Sequence, residues 1–255
     1  DSVAAVVAET AAIAEDAPAF VLVLEDMVDA APGDQIAGCS LEQARAAVVN
    51  LAGLHGPTWC DPAIEQASWL GVDGGIDVGL LQPGLRPRRG GVLADDLEPD
   101  EVEVLDAARE RLAAWALAPA DRFAVIHGDY RLDNLLFPEG DPDGVAAVDW
   151  QTASVGLPAR DLAFFLATSL DVEARRRHGD KLLRAYHAAL TRHGVSGYPI
   201  TQCREDYRAG LMHAPLIILL GRATAAETER GDAMFLAMWR RAAAAIHDAG
   251  TLAVL

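Results

Sequence analysis

The chain has 255 residues, 51% of them hydrophobic and 23% charged, which is the composition of a globular protein with one or two hydrophobic cores. Its 38 acidic and 21 basic residues give a formal net charge of −17, which would repel a phosphate backbone, so we expect no nucleic-acid partner. The sequence contains no apolar run of about 18 residues, no signal peptide at its start and no paired cysteines, which predicts a cytoplasmic protein without a membrane partner.

The first predicted elements are a β-hairpin and a helix. Two apolar runs joined by a proline-containing turn predict a hairpin over residues 12–24, and a Pro-Gly turn follows at residues 32 and 33. Ser40 and Gln43 have the spacing of a capping box and precede an apolar periodicity that runs to Leu54. This pattern predicts a helix that begins directly after Ser40.

The rest of the chain is predicted to be mostly helical. Residues 56–99 contain many glycines and prolines and predict an irregular segment. Helical spacing resumes over residues 100–117, and residues 123–126 and 145–148 are short apolar runs typical of strands. The remaining predicted helices cover residues 161–170, 172–193, 202–221 and 228–248.

Residues 135–148 predict a second hairpin, because two apolar runs flank a loop with two prolines, two glycines and three acidic residues. If Phe137 pairs near Val145, antiparallel counting brings Asn134 to within about one residue of Asp149. Two oxygen-bearing side chains that are distant in sequence would then meet at one end of the hairpin.

A carboxamide oxygen beside a carboxylate suits Mg²⁺, which uses few protein oxygens and keeps water and phosphate oxygens as its other ligands. Asp129 precedes Asn134 by five positions, on the loop that enters the hairpin. A catalytic-loop Asp, an Asn five positions later and a further metal-binding Asp form the arrangement found in protein kinases. With Asp149 as the further Asp, the motif predicts magnesium-dependent phosphoryl transfer.

The motif is similar to that of one family. The pattern His127-Gly-Asp-x-x-x-x-Asn, followed by the Asp149-Trp pair and by a helix that carries Asp161, resembles the aminoglycoside phosphotransferase and choline kinase-like family, which shares the protein-kinase fold. The resemblance implies an α+β fold with a mostly helical C-lobe, a small catalytic β-hairpin and a remnant N-lobe hairpin. It implies a nucleotide-binding N-lobe remnant over residues 1–26, ending at the hinge, and a catalytic C-lobe over residues 27–255.

The resemblance also implies an activity and the residues that perform it. The chain would be an ATP- and Mg²⁺-dependent kinase that moves the γ-phosphoryl group to a hydroxyl group of a small molecule. Asp129 would take the proton of that hydroxyl, Asn134 and Asp149 would hold Mg²⁺, and His127 and Asp161 would support the loop. Positioning and charge neutralisation would supply most of the rate acceleration.

At the hinge, the resemblance implies that adenine meets the backbone carbonyl of Glu25 and the backbone N–H of Met27, beside the side chain of Leu24. Arg131 fits either a phosphate contact or the role of a solvated or structural arginine. The acceptor stays open, because aminoglycosides, amino alcohols, sugars and lipidic alcohols all occur as substrates in this superfamily. Nothing in the sequence predicts the oligomeric state.

The sequence departs from the family near its start. Its only lysine is Lys181, so no lysine precedes the hinge to contact the phosphates. Omitted disordered residues, truncation or natural absence of the N-lobe would each explain this, and we expect a protein with only these residues to turn ATP over poorly. The alternative function is that of a non-catalytic, pseudokinase-like protein that binds a ligand or a partner.

Overall fold

The computed structural model describes residues 6–7, 23–67, 70, 96–118 and 120–253. Its helices are α1 (Leu41–His55), α2 (Pro62–Glu65), α3 (Pro99–Ala116), α4 (Ala159–Ser169), α5 (Val172–Arg192), α6 (Ile200–Gly210), α7 (His213–Thr224) and α8 (Glu229–Ala249). Its strands are β1 (Val6–Val7), β2 (Val23–Leu24), β3 (Ala30–Pro32), β4 (Ala124–Ile126), β5 (Leu135–Pro138), β6 (Ala146–Ala147) and β7 (Ser154–Gly156). Many helices with small antiparallel sheets confirm the predicted α+β class.

Helix α4 lies at the centre of the C-terminal core. Its residues from Asp161 to Ser169 are all buried, because the helix is apolar around most of its circumference rather than along one stripe. Phe165 belongs to a core cluster shared with α1 and α5, whereas Phe164 packs with α7 and α8. The first turn of α4 is thereby held in the middle of the domain, and the loop that begins at His127 attaches to it.

The hairpin predicted over residues 135–148 is confirmed. In the sheet, β5 pairs with β6 so that Leu135 lies opposite Ala147. The N–H of Val148 donates to the carbonyl of Asn134 at 2.9 Å. The register is therefore the one that antiparallel counting predicted.

Two strands, β3 and β7, were not predicted. Strand β3 pairs with β5 as an edge strand, and β7 pairs with β4. The predicted Pro-Gly turn at residues 32 and 33 is wrong, because Pro32 ends β3 opposite Leu136 and the N–H of Gly33 still donates to Leu135. An edge strand tolerates a proline because one of its sides has no partner strand.

The capping box at Ser40 and Gln43 is confirmed, with both of its hydrogen bonds formed. The single helix predicted over residues 202–221 is wrong, because the chain forms α6 and α7 with a break at Leu211 and Met212. Pro215 explains the break, since its ring would clash with the carbonyl four residues earlier in a continuous helix.

The N-terminal part of the chain is only partly described. Val6 pairs with Leu24 and Val7 with Val23, while residues 12–15, the first run of the predicted hairpin, lie outside the described residues. The division between residues 1–26 and 27–255 stays a prediction. Within the described ranges, no helix is both long enough and apolar enough to cross a bilayer.

Candidate active site

A buried carboxylate holds the backbone of the loop over residues 127–134, called here the catalytic loop. Asp161, in the first turn of α4, accepts the N–H of His127 at 2.6 Å and the N–H of Gly128 at 2.9 Å. His55, the last residue of α1, places Nε2 3.3 Å from the same carboxylate. Burial raises the pKa of Asp161. The hydrogen bond and electrostatic interaction with His55 lower the pKa by more than burial raises it, so the pKa lies below its ordinary value of 3.8. An ionised carboxylate therefore attaches the loop to the central helix.

Gly128 is required by its backbone geometry. Its φ is +83°, and a Cβ there would lie 2.5 Å from the carbonyl oxygen of Thr152. The hydroxyl of Thr152 also donates to the carbonyl of His127 at 2.8 Å, which holds the two segments at this close separation. Only glycine fits both the conformation and the space.

The buried ring of His127 connects the catalytic loop to the end of β6. Its Nδ1 accepts the N–H of Asp129 at 3.3 Å, so its Nε2 carries the proton and donates to the carbonyl of Val148 at 2.9 Å. The ring also packs on Trp150, with 4.7 Å between ring centroids. His127 thus fixes the backbone on both sides of the site, directly before Asp149 and at Asp129.

The structure brings Asp129 and Asn134 into direct contact. The amide nitrogen of Asn134 lies 2.9 Å from Oδ2 and 2.9 Å from the backbone carbonyl of Asp129. Arg131 Nε lies 3.1 and 3.0 Å from the two carboxylate oxygens. Burial raises the pKa of Asp129 above 3.8, although Arg131 and Asn134 act in the opposite direction. With the amide nitrogen turned to Asp129, the amide oxygen of Asn134 is the atom that can face a cation.

Asp149 lies just past β6, next to the residue that hydrogen-bonds Asn134. Its backbone is left-handed, with φ 63° and ψ 64°, a conformation that Asp adopts more readily than most residues. The side chain is exposed, and Gln151 Nε2 lies 3.4 Å from it. In the described part of the chain, no three His, Cys, Asp or Glu side chains group together as a metal site. A cation here would therefore need oxygens from a second molecule besides those of Asn134 and Asp149.

The predicted hinge residues lie at the end of β2 and between β2 and β3. Leu24 ends β2, and Glu25 is exposed beside it. The carbonyl of Met27 accepts the N–H of Ala30 at 3.0 Å, which turns the chain into β3. Since β3 pairs with β5, the hinge segment is joined to the strand that directly follows Asn134.

Gln35 is a supporting residue that sequence reasoning missed. It is fully buried, accepts the N–H of Leu132 at 2.8 Å and donates to the carbonyl of Thr168 at 2.9 Å. It therefore ties the catalytic loop to the last turn of α4, whereas Asp161 holds the loop from the first turn. No local pattern marks Gln35, because its partners lie 97 and 133 residues away.

His213 is a second supporting residue that sequence reasoning missed. It should make the stability of the fold depend on pH. Its Nε2 lies 2.8 Å from the carbonyl of Gly128, and burial lowers its pKa from 6.5 to about 4. The folded protein holds this ring neutral, whereas the unfolded chain binds a proton below pH 6.5. The contribution to stability is therefore complete above pH 6.5 and is lost as the pH falls towards 4, by roughly 3 kcal/mol.

The comparison variant for this effect is His213→Gln, which keeps an N–H donor for Gly128 but does not titrate. Urea unfolding of both proteins between pH 7.5 and 4 measures the difference. We expect the stability of the wild type to fall more steeply with acid than that of His213→Gln. Equal slopes would contradict the assignment.

The fold is similar to that of solved phosphotransferases. An aminoglycoside phosphotransferase from Alicyclobacillus acidocaldarius aligns over 100% of this chain and 77% of that protein, with a TM-score of 0.50 and 17% identity. The chain shares the kinase-like phosphotransferase fold. A choline/ethanolamine kinase family protein from Mesorhizobium loti aligns over 97% of this chain and 78% of that protein, with a TM-score of 0.48 and 15% identity.

Sequence comparisons match parts of the chain. The Ecdysteroid kinase-like family model matches residues 95–195, less than half of the chain but including the catalytic loop, the hairpin and α4. Acyl-CoA dehydrogenase family member 11 from Gallus gallus is 39% identical over 74 residues, which is 26% of this chain and 10% of that protein. The chain thus corresponds to a small part of this curated relative. The predicted resemblance to kinase-like phosphotransferases is confirmed.

Proposed function

We propose that this chain is the catalytic part of a phosphotransferase that uses ATP and Mg²⁺ to phosphorylate a hydroxyl group of a small molecule. The observation that carries the proposal is the 2.9 Å contact between the side chains of Asp129 and Asn134, with Asp149 following the residue that hydrogen-bonds the Asn134 carbonyl. This is the kinase arrangement of a base and two metal-binding side chains. The partial burial of Asp129 raises the pKa of its carboxyl group, and a raised pKa makes a carboxylate a better general base.

The oxygen atoms on Asn134 and Asp149 fit a magnesium ion. An amide oxygen and an exposed carboxylate are hard ligands, and Mg²⁺ in phosphoryl-transfer sites takes its remaining ligands from water and from substrate phosphates. Among the described residues, no cationic side chain forms an ion pair with Asp149, and Gln151 Nε2 lies 3.4 Å from its carboxylate. Bound Mg²⁺ would neutralise negative charge on the phosphate oxygens.

The hinge supports a nucleotide as the phosphoryl donor. Val23, Leu24 and Val28 are apolar and more than half exposed. An exposed apolar group beside a backbone segment that belongs to no helix or strand suits a flat heterocyclic base, which makes hydrophobic contacts with its faces and hydrogen bonds with its edge. In the proposal, adenine binds beside Leu24 and meets the backbone of Glu25 and Met27.

In the proposed reaction, Asp129 accepts the proton of the acceptor hydroxyl. The hydroxyl oxygen forms a bond to the γ-phosphorus while the bond from that phosphorus to the β–γ bridging oxygen breaks, which leaves ADP. Asn134 orients Asp129 through its amide nitrogen. The partner is a small hydroxyl compound rather than nucleic acid or a membrane, because a net charge of −17 disfavours approach to anionic surfaces.

The experiment measures ATP consumption by the full-length gene product with a panel of small hydroxyl compounds, with and without Mg²⁺. Asp149→Asn should lower turnover at least about 10²-fold and raise the Mg²⁺ concentration needed, because one charged ligand is lost. The matched control is Asp143→Asn on the hairpin loop, an exposed carboxylate that pairs with Arg45, and it should keep wild-type turnover.

Two outcomes would argue against the proposal. Turnover that does not require Mg²⁺, or an unchanged rate for Asp149→Asn, would contradict the metal assignment. ATP binding without consumption, with every compound of the panel and with water, would favour the non-catalytic alternative.

A further inference from the structure

A row of alternating charges leads from Asp129 to helix α8. Arg131 binds both carboxylate oxygens of Asp129 through Nε, and its Nη1 lies 3.1 Å from Asp133 Oδ2. Arg230 then binds both oxygens of Asp133, each at 3.1 Å. We call these four side chains the charge row. It has two negative and two positive members, so its net charge is zero.

Three members of the charge row are partly buried. The side chains of Asp129, Arg131 and Asp133 are 18%, 18% and 15% exposed, whereas Arg230 is 60% exposed. Partly buried charges are weakly screened, and each one needs a partner to offset its desolvation. A change at one end of the row therefore alters the balance along the rest of it.

Two further contacts hold the row, one from the loop after β3 and one from α8 itself. The N–H of Gln35, from the loop after β3, donates to Asp133 at 3.0 Å. Met234, on α8, places its sulfur 3.3 Å from Arg131 Nη1. The side chain of Arg131 thus lies between the catalytic loop and α8, with little freedom to rotate.

The position of Arg230 is not explained by helix stability. It is the second residue of α8, and a cation in the first turn of a helix opposes the positive end of the helix dipole. Two acidic residues, Glu229 and Asp232, occupy the same turn, as the dipole favours. The two-pronged contact with Asp133 is what Arg230 contributes here, because its planar guanidinium matches a carboxylate.

We propose that Arg131, Asp133 and Arg230 are positioning residues that orient the Asp129 carboxylate and make this orientation depend on the first turn of α8. The inference rests on the proposed function of Asp129 as the base. Both oxygens of Asp129 are held by one nitrogen of Arg131, so a shift of that guanidinium rotates the carboxylate. A small misplacement of a reacting group lowers the rate more than it lowers binding.

The test uses the full-length gene product and water as the acceptor. Inorganic phosphate released from MgATP gives kcat and KM, and a fluorescent ATP analogue gives nucleotide affinity. Water can replace the hydroxyl compound because its proton would pass to Asp129 and its oxygen to the γ-phosphorus in the same way. The variants are Arg131→Gln, Asp133→Asn, Arg230→Gln and the double variant of the last two.

Arg131→Gln should lower kcat roughly 10- to 100-fold, since misplacement of a catalytic group by about 1 Å has effects of this size. Arg230→Gln should lower kcat only about threefold, because an exposed ion pair couples weakly. The KM for ATP and the affinity for the analogue should stay at wild-type values. Once Asp133→Asn has weakened the row, adding Arg230→Gln should produce no further loss, since Arg230 acts through Asp133.

The matched control is Arg240→Gln. Arg240 lies on the same helix and is also exposed, but its partners are Glu101 and the carbonyl of Asp96 rather than residues of the catalytic loop. It should keep wild-type kcat.

Each contrary result has a distinct meaning. A wild-type kcat for Arg230→Gln, or losses that add in the double variant, would overturn the inference while the proposed function stands. If the variants lose nucleotide affinity and melting temperature together with kcat, the charge row has a structural role only. That result would also overturn the inference. A wild-type protein that releases no phosphate from MgATP in water, and consumes no ATP with any compound of the hydroxyl panel, would overturn the proposed function and the inference together.

Discussion

In the variant Asp129→Asn, kcat for phosphoryl transfer from ATP is expected to fall by roughly 10²- to 10⁴-fold, the usual contribution of a positioned general base. The amide that replaces the carboxylate cannot accept the hydroxyl proton near neutral pH. The fold should be retained, because Asn has the shape of Asp and its oxygen can still accept a hydrogen bond from Arg131. The site is also partly exposed, so the change leaves no fully buried charge without a partner.

Steady-state ATP consumption by the full-length gene product measures this loss, and circular dichroism with thermal melting checks the fold. Asp143→Asn is again the matched control, because it makes the same chemical change on an exposed carboxylate of the neighbouring hairpin loop. Nucleotide affinity should be similar in all three proteins. A wild-type kcat for Asp129→Asn would remove Asp129 from the reaction and leave the proposed function without its base.

The largest expected effect on stability is that of Asp161→Ala, which should lower the free energy of unfolding by about 3–5 kcal/mol. The substitution removes the acceptor for the backbone N–H groups of His127 and Gly128 and for His55, all of which are buried. Buried donors without acceptors carry their full desolvation cost. The catalytic loop should detach from α4, so activity should be lost as well.

Urea unfolding and thermal melting of Asp161→Ala measure the effect, and a fall in Tm of roughly 6–20 °C corresponds to it for a domain of this size. Asp161→Asn should be nearly as unstable, because its NH₂ group would face one of the two backbone donors. Asp180→Ala is the control, since Asp180 pairs with Arg184 and Arg204 on the surface and such pairs contribute at most about 1 kcal/mol. Equal stability of Asp161→Ala and Asp180→Ala would contradict the role given to the buried carboxylate.

His213 and Asp161 lose their contributions to folding stability in different pH ranges. His213 loses its contribution as the pH falls from 6.5 towards 4, whereas Asp161, whose pKa is lowered below 3.8, loses its contribution only in stronger acid. Acid titration of stability should therefore separate the two residues, with His213→Gln changing the upper window alone.

Local patterns predicted several elements correctly. The capping box at Ser40 predicted the start of α1 to the residue, because a cap is a contact between neighbours in sequence. The hairpin register that brings Asn134 beside Val148 followed from the loop length and the alternation of strands. The motif that starts at His127 predicted the fold group, because its residues lie on one loop and one hairpin.

Other elements depend on contacts that local patterns do not encode. Strand β7 forms only because β4 lies beside it, and three residues of such a strand have too few side chains to show a period of two. The predicted helix over residues 202–221 kept its apolar periodicity across the break, so only the backbone constraint of Pro215 could have revealed α6 and α7.

The sequence by itself determined which chemical groups this protein can use and where they lie along the chain, because spacing over a few residues follows from backbone geometry. The tertiary structure decided what holds those groups. Gln35, His213 and Arg230 contact the catalytic loop from distant elements. His55 contacts the Asp161 carboxylate that holds this loop. Such contacts form when helices pack around α4, and their free energy depends on burial and on the partner's position rather than on sequence spacing.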